Sequence, residues 1–386
     1  LHMFASVLFG GILIGLNYCF DVISIVNDYP VLFLLLFASN AISGLLNCFV
    51  RGIDKVKEVA ISGVLSSAVM IALNLLFLLP LHMGLLGFFL ATIIGSFSQS
   101  IYLFVAIKGW NYFQITSRDK QLHRDMVNYS QPLILNNISW WVNGVSNRYI
   151  ITWFCGIAAN GIYSVSYKIP SILVMFQGIF SQAWTMSAVQ GYDKDDKNGF
   201  FTRMYQSYNL CMVLVCSVLI MLSRVMAKVL YANDFYNAWK YVPFLLIASV
   251  FGALSGYVGG IYAATKDTKI FAKTSIMGAV TNLLLTFVLV WKVGVMGAAI
   301  ASPVSYGLIW YLRIKGINKY MNMKINLFKD VFGYIILFIQ TVLLFIFPDN
   351  ILFFILQLLA IVILLLLNKE LLSIVIIKIT NKFIKR

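Results

Sequence analysis

The chain has 386 residues, of which 61% are hydrophobic and only 11% are charged, and its mean hydropathy is +0.87. A soluble domain carries about 25% charged residues, so this composition excludes a large soluble core and indicates a polytopic membrane protein. The net charge of +15 is spread over short loops between apolar runs, which favours membrane topology over a nucleic-acid partner. The five cysteines form no CxxC pair and only three histidines occur, so we expect no metal site and no cofactor.

About twelve apolar segments of spanning length follow one another along the chain, which predicts an all-α, polytopic helical membrane protein. Their approximate extents are 3–20, 30–50, 59–79, 84–107, 127–147, 157–186, 200–222, 241–263, 270–291, 294–312, 330–347 and 351–367. The sixth segment is long and contains Pro170, so we expect it to be kinked. Every loop between segments is short, which leaves no room for an extramembrane catalytic domain.

Alternate loops differ in charge, and 23 of the 29 lysines and arginines fall in the loops and tail on one side of the membrane. The positive-inside rule makes that side cytoplasmic and places both termini of this chain in the cytoplasm. The tail 371–386 puts lysines behind an apolar run. This pattern predicts either a basic amphipathic helix at an anionic leaflet or a simple stop-transfer cluster.

Polar side chains recur at helical spacing in the fifth and sixth segments. The first series is Asn136, Ser139, Asn143 and Asn147, and the second is Asn160, Ser164, Lys168 and Ser171. An ammonium group in hydrocarbon costs about 3 kcal/mol, so Lys168 is expected to face a protein interior or a wet cavity. Arg148 directly follows the first series. Two interpretations stay open: a cationic site for an anionic ligand, or asparagines that only join helices and an Arg148 that snorkels to the interface.

An internal repeat links two parts of the chain. GLLGFFLAT from Gly84 resembles GVMGAAIAS from Gly294, in the same orientation and six segments apart. Small residues at these positions let helices approach closely, and a parallel repeat of this kind predicts six-helix lobes. We expect a first lobe in 1–125 that has four spans, lacks two N-terminal helices and ends in an inter-lobe loop. A six-span second lobe would follow in 126–329, and two extra spans with the basic tail in 330–386.

The stretch NRYIITWFCGIAANGIYSVSYKIPSIL, residues 147–173, resembles the signature of O-antigen-type polysaccharide-unit flippases. These belong to the multidrug/oligosaccharidyl-lipid/polysaccharide exporter superfamily. The residues that match the family pattern are Gly161, Tyr163, Ser164, Tyr167, Lys168 and Pro170. Asn147 stands where the family typically has an aspartate, which removes a carboxylate beside Arg148.

This resemblance implies two MATE-like helical lobes around a cavity that opens alternately to either side. It implies a transporter, not an enzyme, that moves undecaprenyl-diphosphate-linked oligosaccharides across the bacterial inner membrane for O-antigen, capsule or exopolysaccharide synthesis. The implied partners are that lipid-linked substrate, membrane lipids, a coupling ion (proton or sodium) and other polysaccharide assembly proteins.

The candidate site residues fall into two groups. The predicted substrate-binding residues are Arg148 and Lys168 for the diphosphate, Asn136, Asn143 and Asn147 for sugar hydroxyls, and Tyr163, Tyr167 and Trp140 beside them. Trp141 and Trp184 are further candidates for stacking on sugar rings, although core packing is the commoner role of such side chains. The residues expected at the cytoplasmic mouth, where they collect phosphate or merely set topology, are Arg51, Lys55, Lys266 and Lys269.

Two other functions remain open from the sequence. A multidrug or lipid II-type exporter of the same superfamily is the first, although a pump for cations should carry acidic residues within its spans. A membrane glycan polymerase is the second. It would need paired carboxylates or a histidine-based site on one face, and the sequence offers neither.

Overall fold

The structure, a computed structural model, describes residues 11, 15, 17, 18, 27–112, 120–347 and 350–369. Over these residues the chain is helical and contains no strand, which confirms the predicted all-α class. Nine of the described helices are long and apolar enough to cross a membrane. The predicted first span, 3–20, lies almost wholly outside the described residues, as does the basic tail 371–386. By its contacts the chain divides into two compact units, Leu1–Asp119 and Lys120–Arg386.

Unit 1 contains three described helices, in which α3 packs against the other two. They are α1 (Pro30–Gly52), α2 (Val56–Leu78) and α3 (Gly84–Ala106). The hydroxyl of Ser66 donates to the carbonyl of Gly95 at 2.8 Å, and Ser43 donates to the Gln99 amide oxygen at 2.6 Å. Short polar side chains therefore hold these apolar helices together.

Unit 2 contains eight further helices. They are α4 (Lys120–Ser166), α5 (Pro170–Gln190), α6 (Phe200–Leu230), α7 (Val242–Ala264), α8 (Thr268–Val293), α9 (Val295–Ile317), α10 (Leu327–Ile346) and α11 (Ile351–Leu367). The central helix is α7, which is buried along most of its length and packs on α5, α6 and α9. The core of unit 2 therefore lies around α7.

Helix α4 is a hairpin of two limbs, 120–155 and 157–166. Gly156 has φ 86° and ψ 170°, which is not helical. The amide of Asn147 donates to the hydroxyl of Tyr163 at 3.2 Å, although 16 residues separate them. In a straight helix that separation is about 24 Å, so the chain must reverse at Gly156. The predicted break between the fifth and sixth segments is confirmed, although α4 begins earlier, at Lys120, within the expected inter-lobe loop.

The sixth predicted segment is broken at 167–169, just before α5 begins. The amides of Tyr167 and Lys168 bond carbonyls three residues back, as in a tighter helix, and Pro170 then starts α5. The predicted kink is confirmed. The second polar series is interrupted here, so Lys168 is not in mid-helix as expected but lies exposed in the turn.

The internal repeat corresponds to matching local structure. Gly84 and Gly294 have φ of 54° and 65°, a region that favours glycine. A Cβ on Gly87 would lie 2.8 Å from Phe77 Cβ, and one on Gly297 would lie 2.3 Å from the carbonyl carbon of Leu289. In both copies glycine therefore lets a helix lie against the one before it, as predicted. The division into six-helix lobes stays a prediction.

Among the cations that the sequence assigned to loops, Arg224 and Lys228 lie on α6 and Arg313 lies on α9. Arg224 donates to the carbonyl of Phe347 at 2.9 Å and lies 4.4 Å from the ring centroid of Trp239. Hydrogen bonds and aromatic faces of this kind offset part of the cost of burying a charge. The hydropathy of the segment alone cannot reveal such partners.

Helix α10 docks on α6 through polar contacts at three levels, and α11 is joined to α10 by hydrogen bonds between Gln340 and Gln357. Asn209 donates to Asp330 at 2.8 Å, Ser217 donates to Gln340 at 2.8 Å, and Arg224 binds the carbonyls of Leu344 and Phe347. The last two helices are therefore an integral part of unit 2.

Candidate functional site

The first limb of α4 and helix α8 run parallel and are joined by a ladder of hydrogen bonds. Each of four contacts links residues that are 139 positions apart: Thr268 to Tyr129, Ser275 to Asn136, Asn282 to Asn143 and Thr286 to Asn147. A constant offset means that the two helices keep one register along their length. We call this set the polar ladder.

Asn147 is the most highly connected member of the polar ladder. Its amide oxygen accepts from Asn282 at 2.8 Å and from Thr286 at 2.9 Å. Its amide nitrogen donates to Tyr163 at 3.2 Å and to Ser302 at 3.1 Å. These bonds use all four positions at which a primary amide can bond, and the side chain is 1% exposed. Asn147 therefore joins helices.

Three predicted substrate-binding residues thus lie inside helix interfaces. Asn136 accepts from Ser275 at 2.5 Å and is 5% exposed, Tyr163 is fully buried, and Asn147 is saturated. Asn143 is also buried, and neither of its side-chain polar atoms has a partner among the described residues. The alternative weighed from the sequence, that the asparagines join helices, describes Asn136 and Asn147.

Arg313 is fully buried beside the Asn136–Ser275 rung of the polar ladder. Its guanidinium donates to neutral acceptors on three other helices: Asn136 on α4, the Ser255 carbonyl on α7, and Thr274, Ser275 and the Phe271 carbonyl on α8. The guanidinium carbon also lies 4.0 Å from the Phe271 ring centroid. None of these acceptors is a carboxylate, so the cation is held by dipoles and an aromatic face alone.

A cavity of about 350 Å³ lies beside the ladder, between α4, α5, α7 and α9. Its lining residues are Trp140, Tyr167, Pro170, Ser171, Val174, Gln177, Leu245, Ala248, Ser249, Gly252, Ser302 and Tyr306. We call it the aromatic cavity. Trp140 and Tyr306 meet edge to face with their ring centroids 5.0 Å apart. Flat rings mixed with hydroxyl and amide groups suit a ligand that has both apolar faces and polar edges.

Three polar groups in the lining are unused by the protein. The indole of Trp140, the amide of Gln177 and the hydroxyl of Tyr306 have no hydrogen-bond partner among the residues that the structure describes. In the ladder the side chain of Asn147 is fully paired, whereas these three groups belong to residues that line one cavity. A polar ligand in the cavity would satisfy them.

The aromatic cavity has no charged side chain in its lining, contrary to the cationic cavity expected from the sequence. The cations lie beside it. Arg148 is exposed, with its guanidinium carbon 5.7 Å from the ring centroid of Tyr167, and Lys168 follows Tyr167 in the chain and is also exposed. The predicted ligands Trp140 and Tyr167 thus line the cavity, while Arg148 and Lys168 lie near its Tyr167 wall.

The other tryptophans have different surroundings. Trp141 is 65% exposed and points away from the buried face of α4. Trp184 is 2% exposed, stacks on Tyr257 with ring centroids 4.1 Å apart, and donates to the Tyr257 carbonyl at 2.8 Å. Trp184 is therefore a core residue and not a sugar platform.

The residues expected at the cytoplasmic mouth lie at helix ends. Arg51 is in the last turn of α1 and Lys55 directly precedes α2. Lys266 lies between α7 and α8, and Lys269 is in the first turn of α8. All three lysines are exposed. Their role in collecting phosphate stays a prediction.

The sequence analysis missed Gln177, Tyr306 and Arg313. One signal was available: Ser275, Asn282 and Thr286 repeat the spacing of Asn136, Asn143 and Asn147. This match predicts the ladder but not the cavity, because the cavity lining comes from helices that are distant in sequence.

Comparisons with known proteins agree with the fold. The family model of the polysaccharide biosynthesis proteins matches residues 2–189. A probable low-salt glycan biosynthesis flippase, Agl15 of Haloferax volcanii, is 19% identical over 205 residues, which are 52% of this chain and 43% of that protein. Multidrug and toxin extrusion protein 1 of Rattus norvegicus is 23% identical over 261 residues, 61% of this chain and 44% of that protein. The chain thus spans less than half the length of these relatives.

Solved structures show the same fold. An outward-facing multidrug resistance transporter of the MATE family has a TM-score of 0.69 at 13% identity, covering 83% of this chain and 78% of its own. The lipid II flippase MurJ, in an inward closed conformation, has a TM-score of 0.55 at 15% identity, covering 90% of this chain and 72% of its own. The chain is a multi-pass membrane protein with the fold of these transporters, and its residues 2–189 are similar to the polysaccharide biosynthesis proteins.

Proposed function

We propose that this chain is a flippase for lipid-linked oligosaccharides, moving undecaprenyl-diphosphate-linked repeat units from the cytoplasmic to the outer leaflet by alternating access. It would act in the bacterial inner membrane, with both termini of this chain in the cytoplasm. Its product would serve O-antigen, capsule or exopolysaccharide synthesis, with a proton or sodium gradient as the energy source and other polysaccharide assembly proteins as partners.

The observation that carries this proposal is the aromatic cavity beside two exposed cations. Sugar rings have apolar faces that stack on aromatic side chains and hydroxyl edges that bond amides and hydroxyls, which are the groups that Trp140, Gln177 and Tyr306 leave unused. A diphosphate needs cations that can form charge-assisted bonds, and Arg148 and Lys168 lie near the Tyr167 wall. The glycan and its charged linkage would thus be held in adjacent places.

Export of multidrug cations or of lipid II is the alternative, and MATE transporters and MurJ share the fold. A cationic drug binds favourably beside a carboxylate, and the aromatic cavity has no carboxylate in its lining. The uncharged lining therefore favours a neutral glycan over a cationic drug.

The test uses a cell that depends on this protein for surface glycan export. Trp140→Ala should lower export and raise the pool of lipid-linked sugar, because it removes an aromatic wall of the cavity. Trp141→Ala is the matched control, since Trp141 is 65% exposed and should leave both quantities unchanged. Equal export by the two variants would contradict the site. Efflux of a cationic dye that falls with Trp140→Ala, with no effect on glycan, would instead support the multidrug function.

A further inference from the structure

A second cavity, of about 270 Å³, lies further along the same helices of unit 2. Its lining residues are Tyr129, Leu133, Ser181, Thr185, Gly256, Gly259, Gly260, Tyr262, Ala263, Thr268 and Phe271. We call it the glycine cavity. It shares α4, α5 and α7 with the aromatic cavity, and its remaining wall is the start of α8.

The two cavities are neighbours along α7, and together we call them the groove. Helix α4 packs on α8 and α9, whereas α5 packs on α7, which leaves a furrow between α4 and α5 with α7 as its floor. On α7, Gly252 lines the aromatic cavity and Gly256 lines the glycine cavity, one helical turn further on. From Leu245 to Ala263 the floor extends for about 27 Å at 1.5 Å per residue, close to the thickness of the hydrocarbon core.

The glycines of α7 have two different surroundings. A Cβ on Gly259 would lie 2.4 Å from the Phe271 ring, and one on Gly260 would lie 2.7 Å from Trp184 Nε1, so these glycines allow close packing. On Gly252 and Gly256 the nearest atoms to a Cβ would be 3.6 Å away, on Tyr306 and Gln177. A methyl group fits at both positions, so packing does not require glycine there. What these two glycines provide is clearance along the floor.

The chemistry of the groove selects one kind of occupant. The side chains that line its two cavities are aromatic, hydroxylic, amide, small or aliphatic, the last being Leu133, Val174 and Leu245, and none is charged. An alkyl chain would leave Gln177, Trp140 and Tyr306 unpaired, and a charged peptide would find no counter-charge within. A chain of uncharged sugars offers hydroxyl groups to the polar groups of Gln177, Trp140 and Tyr306, and it offers apolar ring faces to the aromatic walls.

We infer that this groove binds the oligosaccharide as an extended chain, with successive sugars in the aromatic and glycine cavities and the junction at Gly252 and Gly256. The inference rests on the proposed flippase function and adds a consequence: substrates that reach past the junction depend on its clearance. Short substrates occupy the aromatic cavity alone and do not.

The experiment places a larger side chain at the junction. Full-length protein with Gly256→Leu or Gly178→Leu is expressed in sphaeroplasts that make lipid-linked units of either a single sugar or several sugars. Outward movement is measured as lipid-linked sugar that membrane-impermeant periodate can oxidise. Gly178→Leu is the matched control, because Gly178 is exposed on α5, lines neither cavity and has no atom within 4 Å of an added Cβ.

The expected result is a loss that depends on substrate length. Gly256→Leu should move the single-sugar substrate at the wild-type rate and the longer substrate about tenfold more slowly, the effect of about 1.4 kcal/mol. Gly178→Leu should match the wild type for both. Normal transport of the single sugar also shows that the Gly256→Leu variant is folded.

Other outcomes separate the inference from the proposed function. If Gly256→Leu moves the longer substrate at the wild-type rate, the extended binding mode is wrong although the flippase function stands. Equal loss for both lengths, with unchanged thermal stability, likewise overturns the extended mode. If the wild-type protein moves neither substrate, the flippase function itself fails, and the inference fails with it.

Discussion

The polar ladder and the groove are built from the same kinds of side chain, yet their hydrogen bonds are used in opposite ways. In the ladder, Asn147 makes four side-chain bonds to neighbouring helices. In the groove, Gln177 makes none with the described residues. The presence of an amide side chain within the membrane therefore does not by itself indicate its role. A structural residue differs from a candidate ligand in whether the protein itself satisfies the hydrogen bonds of its side chain.

Charge reversal at Arg313, beside the ladder, should give the largest effect. Arg313→Glu places a carboxylate against acceptor oxygens, among them the carbonyls of Ser255 and Phe271. A buried unpaired charge should cost at least about 4 kcal/mol of unfolding free energy, enough to prevent folding. Arg148→Glu, at an exposed arginine on α4, should change it by about 0.5 kcal/mol or less. Thermal unfolding in detergent measures both, and similar losses would mean that Arg313 is not sealed in the core.

Glycine substitutions test the same contrast between a tightly packed helix contact and the open floor of the groove. Gly297→Ala puts a methyl group 2.3 Å from the backbone of Leu289, which cannot rotate away. We expect a loss of about 3 kcal/mol in unfolding free energy. Gly252→Ala, in the floor of the groove, should leave stability nearly unchanged. Unfolding of the two variants side by side gives the measurement, and a destabilised Gly252→Ala would show that the floor is packed.

Of two amide substitutions, one should lower stability and the other should lower glycan transport. Asn147→Leu removes four bonds at about 0.6 kcal/mol each, which lowers unfolding free energy by about 2 kcal/mol. Gln177→Leu should leave stability unchanged, because no described residue bonds that amide, while it lowers glycan transport. Both variants need both assays. If Gln177→Leu were the less stable of the two, or left transport intact, the distinction between ladder and groove would fail.

The smallest effect concerns a bond outside the membrane-spanning helices. Tyr320 donates a hydrogen bond to Asp267, which raises the pKa of the tyrosine to about 12. The folded protein then holds this proton more tightly than the unfolded chain, whose tyrosine pKa is about 10. The contribution is complete below pH 10 and is lost as pH rises toward 12. It should be slight, because Tyr320 is near solvent. A difference absorbance titration against Tyr320→Phe checks it, and an ordinary tyrosine pKa would exclude the bond.

Much of the fold was predictable from hydropathy and from the glycines and prolines that interrupt the apolar runs. The spans, the break between the fifth and sixth segments and the kink before Pro170 follow from apolar runs, glycine and proline. The buried position of Arg313 was not predictable, because the predicted tenth segment, 294–312, ends just before it. Its acceptors come from α4, α7 and α8, which periodicity within one segment cannot bring together.

The candidate site was predictable only in part. Helical spacing correctly grouped Asn136, Asn143 and Asn147 on one face, but spacing does not say what that face meets. Trp140 and Tyr167 were identified and line the cavity. Gln177 and Tyr306 were not, since neither belongs to a polar series. Their relevance appears only when α5 and α9 are placed around the same space.

The fixed offset of 139 residues along the polar ladder limits how the gene can change in length. One codon gained or lost within the middle of α4 would rotate every later rung by about 100° around the helix axis and turn its amides toward the acyl chains. Variation in size among related genes should therefore accumulate in the connecting loops, and α4 and α8 should keep their lengths.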